Sequence, residues 1–427
     1  MKRNYMIIFL GLAFLCLNLG VSSVQAQGAR YTGSYTKSPT IKHIGKKDFV
    51  IDGLEISSAD EICIALYNCE NVVIKNCKFG PSQRYRAIHL ENCKNVTIID
   101  CTFENVQTGL RAAASQGIQF EYNDVTNLVG TLKGSDELGI MVQFIKVSGA
   151  GNSVSYNVCE NFSGESSTED IINMWQSNGT AGSPIMVKGN WIRGGGPSDS
   201  GGGILIGDGG GSYQIAEDNI LVDPGQYGIG IAGGHNMTLR NNKVFGKKQY
   251  FSNVGMQVCN WYEKEGIQSH TVTAENNTIN YRNKDGKVNN WWYAGNTGTI
   301  KGRDTNKHDP NMTASILPDK IIGRARSVSS EPENKPESIP NVENNDKEMR
   351  IYLDTYGRIC VNNRSPLEAS AIVVVKNQSG KTVLEQKITS YHTVLRKIPA
   401  GTYKILVNYT LQVGTTRSLH QETLEIL

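Results

Sequence analysis

Apolar residues in the middle of the chain recur in a short frame instead of in long runs. Residues 71–79 read NVVIKNCKF and residues 95–103 read NVTIIDCTF. Each copy has one apolar residue three positions before a turn position and another two positions after it. Nine copies carry this frame, with turn positions Leu54, Cys77, Cys101, Asn123, Asn157, Asn190, Asn219, Asn242 and Asn277. Because both flanking columns are apolar in all nine copies, the frame is an internal repeat.

The repeat predicts a fold of stacked coils. Turn positions lie 22 to 24 residues apart where the repeat is uninterrupted, so each copy has only short strands that cannot bury an apolar face alone. Stacking the copies as parallel strands ~4.8 Å apart buries one continuous core. Equivalent residues then lie above one another, and the asparagines from Asn123 to Asn277 are expected to form a hydrogen-bonded ladder.

Cysteine spacing follows the same repeat. Cys69 and Cys93 are 24 residues apart, and so are Cys77 and Cys101. A shared period indicates inward packing in adjacent coils, and it argues against a framework of disulfides.

The first residues are typical of an export signal. Lys2 and Arg3 precede an apolar segment that runs from Met6 to Val21, and a cleavage position follows at Ala26. The apolar segment is too short for a membrane span. We therefore predict a signal peptide at residues 1–26 and a mature protein that is secreted, periplasmic or held at the cell surface.

Composition divides the remaining chain into three parts. Residues 27–325 hold the stacked coils. Residues 326–348 are rich in Glu, Pro, Asn and Ser, which is typical of a flexible linker. In residues 349–427 alternating strands return between turn signals, which predicts a small antiparallel β-sandwich. The net charge of +3 comes without a basic stripe, so nucleic acid is not an expected partner.

The frame resembles that of the right-handed parallel β-helix proteins, which include the pectate-lyase-like enzymes. The resemblance covers roughly residues 47–299 and implies an all-β chain: a single-stranded right-handed parallel β-helix of about nine or ten rungs, followed by the small sandwich. It implies a polysaccharide as partner and a monomer as the assembly state. The fold hosts lyases, hydrolases and non-catalytic proteins, so activity must be argued from the site.

The C-terminal module carries a second resemblance. The segments SGKTV at residues 379–383 and IPAGTY at residues 398–403 resemble the C-terminal sandwich modules of secreted Bacteroidetes proteins. Some of those modules are sorting signals, which implies delivery to the cell surface.

Each coil should carry another strand before the frame, with its middle residue facing outward. That outward column is predicted as Ala65, His89, Arg111, Met141, Asn173, Leu205, Gly230 and Gln257. In β-helix enzymes this face is the usual sugar-binding groove. Insertions around residues 126–138, 163–170 and 194–203 all precede this strand, so they should wall one edge of the groove.

Two chemistries fit the polar residues near this wall. A glycoside hydrolase needs two carboxyl groups ~5–9.5 Å apart, and we predict Asp170 and Asp208 as that pair, with Glu169 in reserve. A lyase acting on a uronate needs a base and a cation, which His89 and Arg111 on neighbouring coils could supply.

Substrate contacts are predicted at Trp175, Gln143, Gln257 and Trp261. The predicted catalytic acids also have a structural interpretation as turn or cap residues, and the two tryptophans as residues that pack loops. No metal ligands are predicted, and the identity of any cofactor is unknown. The sequence leaves calcium binding undecided, because it shows no clear calcium site. The function is therefore predicted as binding, and degrading, a polysaccharide, with a non-catalytic glycan-binding protein as the alternative.

Overall fold

The computed structural model describes residue 31 and residues 33–130, 138–324, 349–353, 359–363, 370–388, 392–394, 401–410 and 416–426. The predicted signal peptide at residues 1–26 and the predicted linker at residues 326–348 lie outside these residues. No helix in the described ranges is both long enough and apolar enough to cross a membrane.

Three parallel sheets form a β-helix of about ten rungs, which confirms the predicted fold class. Within each rung the chain passes through sheet 1, then sheet 2, then sheet 3. The ten strands of sheet 1 are Ile41–Ile44, Ile64–Tyr67, Ile88–Glu91, Thr108–Ala113, Ile140–Ile145, Ile172–Trp175, Ile204–Asp208, Tyr227–Ile231, Val254–Val258 and Trp291–Tyr293. The ten strands of sheet 2 are Lys47–Asp52, Glu70–Lys75, Lys94–Ile99, Gln116–Glu121, Ser153–Ser155, Ile185–Lys188, Ser212–Glu217, His235–Arg240, His270–Glu275 and Ile300–Lys301. The eleven strands of sheet 3 are Thr36–Lys37, Leu54–Ile56, Lys78–Phe79, Thr102–Val106, Asp124–Leu128, Val158–Glu160, Trp191–Arg193, Ile220–Val222, Lys243–Gly246, Thr278–Tyr281 and Lys307–His308.

Helical structure in the described chain is limited to four short 3₁₀ turns, Glu263–Glu265, Gly295–Thr297, Arg303–Thr305 and Ala314–Ile316.

The predicted asparagine ladder runs along the corner between sheets 2 and 3. Each side-chain amide donates to the side-chain oxygen of the next asparagine at 2.9–3.1 Å. Its second hydrogen reaches a backbone carbonyl of the preceding rung at 2.8–3.1 Å. The same side-chain oxygen also accepts a backbone N–H. Asn306, which the frame did not identify, ends the ladder.

The stacked cysteines take the same role in the first rungs. Cys77 and Cys101 are fully buried, and their thiols point to the backbone carbonyls of Ile51 and Ile74. The seven cysteines of the β-helix part that the structure describes are all free thiols, as the spacing predicts.

The outward column of sheet 1 is confirmed except at one position. Arg111 is in register with Gln143, and Gln143 with Asn173. Met141 is fully buried in the core, so its placement in the outward column was wrong. The strand extends to Ile145, three residues beyond the predicted segment 140–142, and its register places Gln143, not Met141, between Arg111 and Asn173.

The connections that precede sheet 1 are long where the sequence predicts insertions. They lie between the strands that end at Leu128, Glu160 and Arg193 and the strands that begin at Ile140, Ile172 and Ile204. Residues 131–137 of the first insertion lie outside the described chain. The second and third insertions bring Glu169, Asp170 and residues 194–203 to one edge of sheet 1.

The C-terminal residues form two antiparallel sheets. One contains Met349–Leu353, Ile359–Asn363 and His392–Val394. The other contains Thr382–Ile388, Ser370–Asn377, Gly401–Thr410 and Thr416–Ile426. Six of these seven strands overlap segments that the alternating pattern predicts, and His392–Val394 is additional.

The ladder predicts a stability effect at its centre. In Asn219→Ala, the donors of Asn190 lose their acceptor and the carbonyl of Val187 loses its donor. Leaving several buried polar groups unpaired should lower the free energy of unfolding by about 2–5 kcal/mol. Urea unfolding of the variant measures the loss, with the exposed Asn311→Ala as the control. A loss below about 1 kcal/mol for Asn219→Ala would contradict this role.

Candidate functional site

A cleft of about 740 Å³ opens on the outward face of sheet 1, over its later rungs. Leu205 and Gln257 lie on its floor, with Gly230 between them in the register of adjacent strands. Glu169, Asp199 and Ser200 line one edge, and Trp261 and Tyr262 line the other. The first edge comes from the predicted insertions. The second comes from the connection between sheets 1 and 2 at residues 259–269, which the sequence did not indicate.

The side-chain amide of Asn173 links Asp170 and Asp208 in this cleft. The Asn173 Nδ2 atom donates to Asp170 Oδ2 at 2.8 Å and to Asp208 Oδ2 at 2.8 Å. The two oxygens therefore lie at most about 5.6 Å apart, twice 2.8 Å, and the fork of an NH₂ group places them roughly 5 Å apart. Asp170 lies 3 residues before Asn173 and Asp208 lies 35 residues after it, so the two acids are 38 residues apart in sequence but share one hydrogen-bond donor.

An irregularity in the sheet carries Asp208 to this place. Asn173 is in register with Leu205, whereas Trp175 is in register with Asp208, so the second strand holds one extra residue. Gly207 has φ +66°, and a β-carbon there would lie 2.1 Å from the carbonyl oxygen of Gly233. Only glycine fits such a position. The bulge turns Asp208 toward the cleft, as bulges next to functional sites commonly do.

A tyrosine hydroxyl donates to each carboxyl group. Tyr227 donates to Asp170 Oδ1 and Tyr262 donates to Asp208 Oδ1. The backbone N–H of Gly202 also donates to Asp170 Oδ1, at 3.0 Å. Asp170 is only 7% exposed and Asp208 8% exposed, so their positions are fixed by hydrogen bonds on all four carboxyl oxygens.

Burial shifts both acids toward the protonated form. Burial, followed by the charge of Asp208, raises the pKa of Asp170 to about 7 from 3.8. Burial also raises the pKa of Asp208. The hydrogen bonds that Tyr262 and Asn173 donate to Asp208 lower its pKa and offset part of this shift. Two close carboxyl groups in a poorly solvated site cannot both ionise easily. At neutral pH, Asp170 is therefore poised to give or take a proton.

Two polar atoms in this site are buried without a partner. One is Oε2 of Glu169, whose Oε1 accepts from the Ser200 hydroxyl at 2.6 Å. The other is Oδ1 of Asn173. Buried polar atoms normally have partners, so these two atoms leave hydrogen-bonding capacity unused beside the two acids.

Aromatic side chains dominate the far end of the cleft. Trp261 is 54% exposed and Trp292 is 42% exposed, and their rings lie 5.5 Å apart at 39°. Trp292 occupies the outward column one rung after Gln257. Trp175 does not line the cleft. Its ring packs edge-on against Tyr262, where it supports the hydroxyl that holds Asp208.

His89 and Arg111 lie elsewhere on sheet 1. They are in register on adjacent rungs, as predicted, and Gln143 follows on the next. His89 is three rungs before Asn173, which corresponds to ~14 Å. Burial and the nearby charges of Arg86 and Arg111 lower the pKa of His89. None of these three predicted residues is part of the cleft lining, and their predicted roles stay predictions.

Within the described residues, no group of three His, Cys, Asp or Glu side chains is placed to hold a metal ion. One cleft is lined by five of the predicted site residues, Asp170, Asp208, Glu169, Gln257 and Trp261. Their roles remain predictions. Sequence reasoning did not single out Tyr227, Tyr262 or Trp292, because a tyrosine or tryptophan in a loop or at a strand end carries no periodic signal. Asn173 was predicted only as a member of the outward column.

The family model described as "Right handed beta helix region" matches residues 40–220. That part of the chain is similar to the right-handed β-helix family, and the remaining rungs continue the same three sheets. No curated protein matches the chain.

Solved structures with a similar fold come from glycan-related proteins and phages. The catalytic domain of a GH87 alpha-1,3-glucanase in complex with tetrasaccharides matches with 10% identity and a TM-score of 0.37; the match covers 64% of this chain and 61% of that domain. A tailspike protein of E. coli bacteriophage HK620 in complex with a hexasaccharide matches with 11% identity and a TM-score of 0.32, over 62% and 58% of the two chains. The tailspike protein of Acinetobacter baumannii phage AM24 matches with 10% identity and a TM-score of 0.33, over 92% and 68%.

These matches concern the fold alone. The chain spans about three fifths of the length of the first two structures.

The raised pKa of Asp170 predicts a pH-dependent stability. Its folded pKa of about 7 exceeds the ordinary value of 3.8, so the folded chain binds this proton more tightly than the unfolded chain. The contribution is full below pH ~4 and is lost as the pH rises to ~7. Asp170→Asn removes this titration, so its free energy of unfolding relative to the native chain should rise over that window by a few kcal/mol, at ~1.4 kcal/mol per pKa unit.

Urea unfolding at pH values from 4 to 7 measures this difference. The exposed Asp285→Asn should follow the native chain at every pH. Parallel profiles for Asp170→Asn and the native chain would contradict the assigned burial of the acid.

Proposed function

We propose that the β-helix binds a polysaccharide in the cleft on sheet 1 and hydrolyses its glycosidic bonds. The observation that carries this proposal is the buried pair Asp170 and Asp208, held by one amide and two tyrosines inside an open cleft. A pair of carboxyl groups with separated roles is what glycoside hydrolysis requires.

The two acids differ in the way the reaction needs. Asp170 has a pKa of about 7, so it keeps its proton in neutral and mildly acidic solution and is suited to act as the general acid. Burial also raises the pKa of Asp208, but Tyr262 and Asn173 donate hydrogen bonds to its oxygens and lower that pKa. We assign Asp208 as the second carboxyl group, which acts on the anomeric carbon.

The first step breaks the glycosidic bond. The Asp170 proton passes to the leaving oxygen as the bond from that oxygen to the anomeric carbon breaks. A carboxylate oxygen of Asp208 forms a bond to the anomeric carbon from the opposite face. The leaving sugar departs with the proton, and a glycosyl ester on Asp208 remains.

The second step hydrolyses this ester. Ionised Asp170 now takes a proton from a water molecule, whose oxygen attacks the anomeric carbon and displaces Asp208. The closest oxygens of the two acids lie at most about 5.6 Å apart. That separation fits the ~5–5.5 Å of retaining enzymes and is shorter than the ~6.5–9.5 Å that an inverting enzyme needs for its water.

The cleft is suited to sugar rings. Trp261 and Trp292 offer broad exposed apolar faces, and amide side chains such as Gln257 on the floor can exchange hydrogen bonds with hydroxyl groups.

Export and surface delivery are also part of the proposal. The charged and apolar start of the chain supports a signal peptide at residues 1–26. Residues 27–325 would then act outside the cytoplasm as a monomer, joined by the linker at 326–348 to the module at 349–427. The segments shared with Bacteroidetes modules support a sorting role for that module in a cell of that group.

Removal of either acid tests the hydrolase. Asp170→Asn and Asp208→Asn keep the side-chain size, because only an oxygen is replaced by an NH₂ group. Each should lower kcat at least about 10³-fold on a polysaccharide that the native chain cleaves. Release of reducing ends measures turnover, and Asp285→Asn is the matched control that keeps full activity.

The results of this test separate three readings. Full activity in both variants would overturn the assigned pair. Unsaturated sugar products would show a lyase and would overturn hydrolysis. Measurable binding of glycans, with no turnover by the native chain on a broad panel, would favour a non-catalytic glycan-binding protein.

The oxygen separation predicts the stereochemistry of the product. The first sugar released should keep the anomeric configuration of the bond that is cleaved. Proton NMR recorded within the first minutes of hydrolysis, before mutarotation, distinguishes the two anomers. An initial product of inverted configuration would contradict the two-step mechanism while leaving hydrolysis intact.

A further inference from the structure

Two exposed tryptophan rings lie side by side at one end of the cleft. Trp261 is 54% exposed and Trp292 is 42% exposed, and their ring centroids are 5.5 Å apart with a tilt of 39° between the planes. Both side chains belong to the cleft lining that the structure describes. Tryptophan is highly buried on average, so a pair of rings left open to solvent inside a cleft indicates a surface that a bound molecule covers.

The strand register gives the distance from these tryptophans to the two acids. On the outward column of sheet 1, each residue of the following series lies one rung after the one before it: Asn173, Leu205, Gly230, Gln257 and Trp292. Four steps of ~4.8 Å place Trp292 ~19 Å along the stack from Asn173, whose amide holds the acids. A single sugar ring is too small to contact the acids and the tryptophans at once, so only a chain of several sugar residues can do both.

The floor between the acids and the tryptophans is low. A β-carbon added at Gly230 would lie 2.9 Å from Gln257 Cγ and 3.0 Å from Leu205 Cδ1. The two neighbouring side chains therefore lean over the glycine and lie close to the sheet. A sugar chain can run along the rungs above them, and the Gln257 amide offers both donors and an acceptor to its hydroxyl groups.

The loop that carries Trp261 also contacts one of the acids. The next residue, Tyr262, donates its hydroxyl hydrogen to Asp208. On the other side of Trp261, the Asn260 N–H donates to Asn296 Oδ1 at 3.2 Å, and Asn296 Nδ2 donates to the Asn260 carbonyl at 2.9 Å. These bonds fix the position of Trp261 relative to Asp208. A sugar ring held at the tryptophans therefore determines, through the glycan chain, which glycosidic bond lies at the acids.

We propose that Trp261 and Trp292 form a remote subsite for a sugar ring, and that this subsite makes the protein selective for long glycan chains over short oligosaccharides. The inference rests on the proposed function of the same cleft and adds its chain-length specificity. The apolar C–H face of a sugar ring packs on an indole ring, which removes both surfaces from water. Binding energy from a distant part of a substrate lowers the barrier at the reacting bond, so substrates that lack this part lose kcat as well as affinity.

Oligosaccharides of increasing length test the subsite. Cello-, xylo-, manno- and malto-oligosaccharides, each from the disaccharide to the octasaccharide, are compared as substrates by release of reducing ends and as ligands by calorimetry. In a series that the native chain cleaves, kcat/KM should rise at least about tenfold once the sugar chain reaches from the acids to the tryptophans. Part of this rise should be in kcat, because the remote contact contributes to the transition state.

Variants of the tryptophan identify the cause. Trp292→Ala should remove the rise with length and leave kcat/KM for the shortest cleaved oligosaccharide unchanged. Retained activity on that short substrate also shows that the acids keep their places. Trp292→Phe keeps an aromatic face and should restore most of the dependence on length. Phe162→Ala removes another exposed aromatic side chain, which is not part of the cleft lining, and should change neither value.

The outcomes separate the inference from the proposed function. A rise with length that Trp292→Ala removes supports the inference. Equal kcat/KM across a cleaved series, or a rise that Trp292→Ala leaves unchanged, overturns the inference and leaves the hydrolase in place. Octasaccharide binding that weakens about tenfold in Trp292→Ala, without turnover of any oligosaccharide or polymer, supports the subsite and overturns the hydrolase. Absence of both binding and turnover for every octasaccharide overturns the inference.

Discussion

In-register stacking of parallel rungs is the constraint on which every feature of the site depends. Asparagine amides at the corner between sheets 2 and 3 bond to one another and to the backbone of the adjacent rung. A one-residue slip would turn core side chains outward and separate each amide from its acceptor. The ladder therefore fixes the axial position of every rung, and with it the distance between side chains that are far apart in the sequence.

The rigidity of the stacked rungs holds the two carboxyl groups together although they repel each other. Two acids placed around a single amide in a buried site repel each other, and burial raises the pKa of both. Asn173, Tyr227 and Tyr262 offset part of this cost by donating hydrogen bonds. A flexible surface would relax by moving the acids apart. The stacked strands hold them together, which keeps one proton available near neutral pH.

Periodicity predicted the architecture, and spacing predicted part of the site. The apolar columns identified the rungs, and the irregular intervals located the insertions that carry Asp170. Asp208 was predicted as its partner because one or two rung steps supply the carboxyl separation that glycoside hydrolysis needs. The prediction erred at Met141, where the strand is longer than the pattern indicated and Gln143 takes the outward position.

Other parts of the site could not be predicted from the sequence. The bulge before Asp208 depends on Gly207, which reads in the sequence as one of several turn glycines. The second wall depends on where the connection after Val258 folds, so Tyr262 and the Trp261 and Trp292 pair gave no signal.

The central claim is that Asp170 and Asp208 are a coupled pair of buried acids. Carboxyl ¹³C NMR titration of chains labelled at aspartate tests it without any substrate. One aspartate resonance should titrate at about pH 7, vanish in Asp170→Asn, and titrate at lower pH in Asp208→Asn because the neighbouring charge is gone. If every aspartate resonance titrated near the ordinary value, or if the high one were unaffected in both variants, the account of this site would be contradicted.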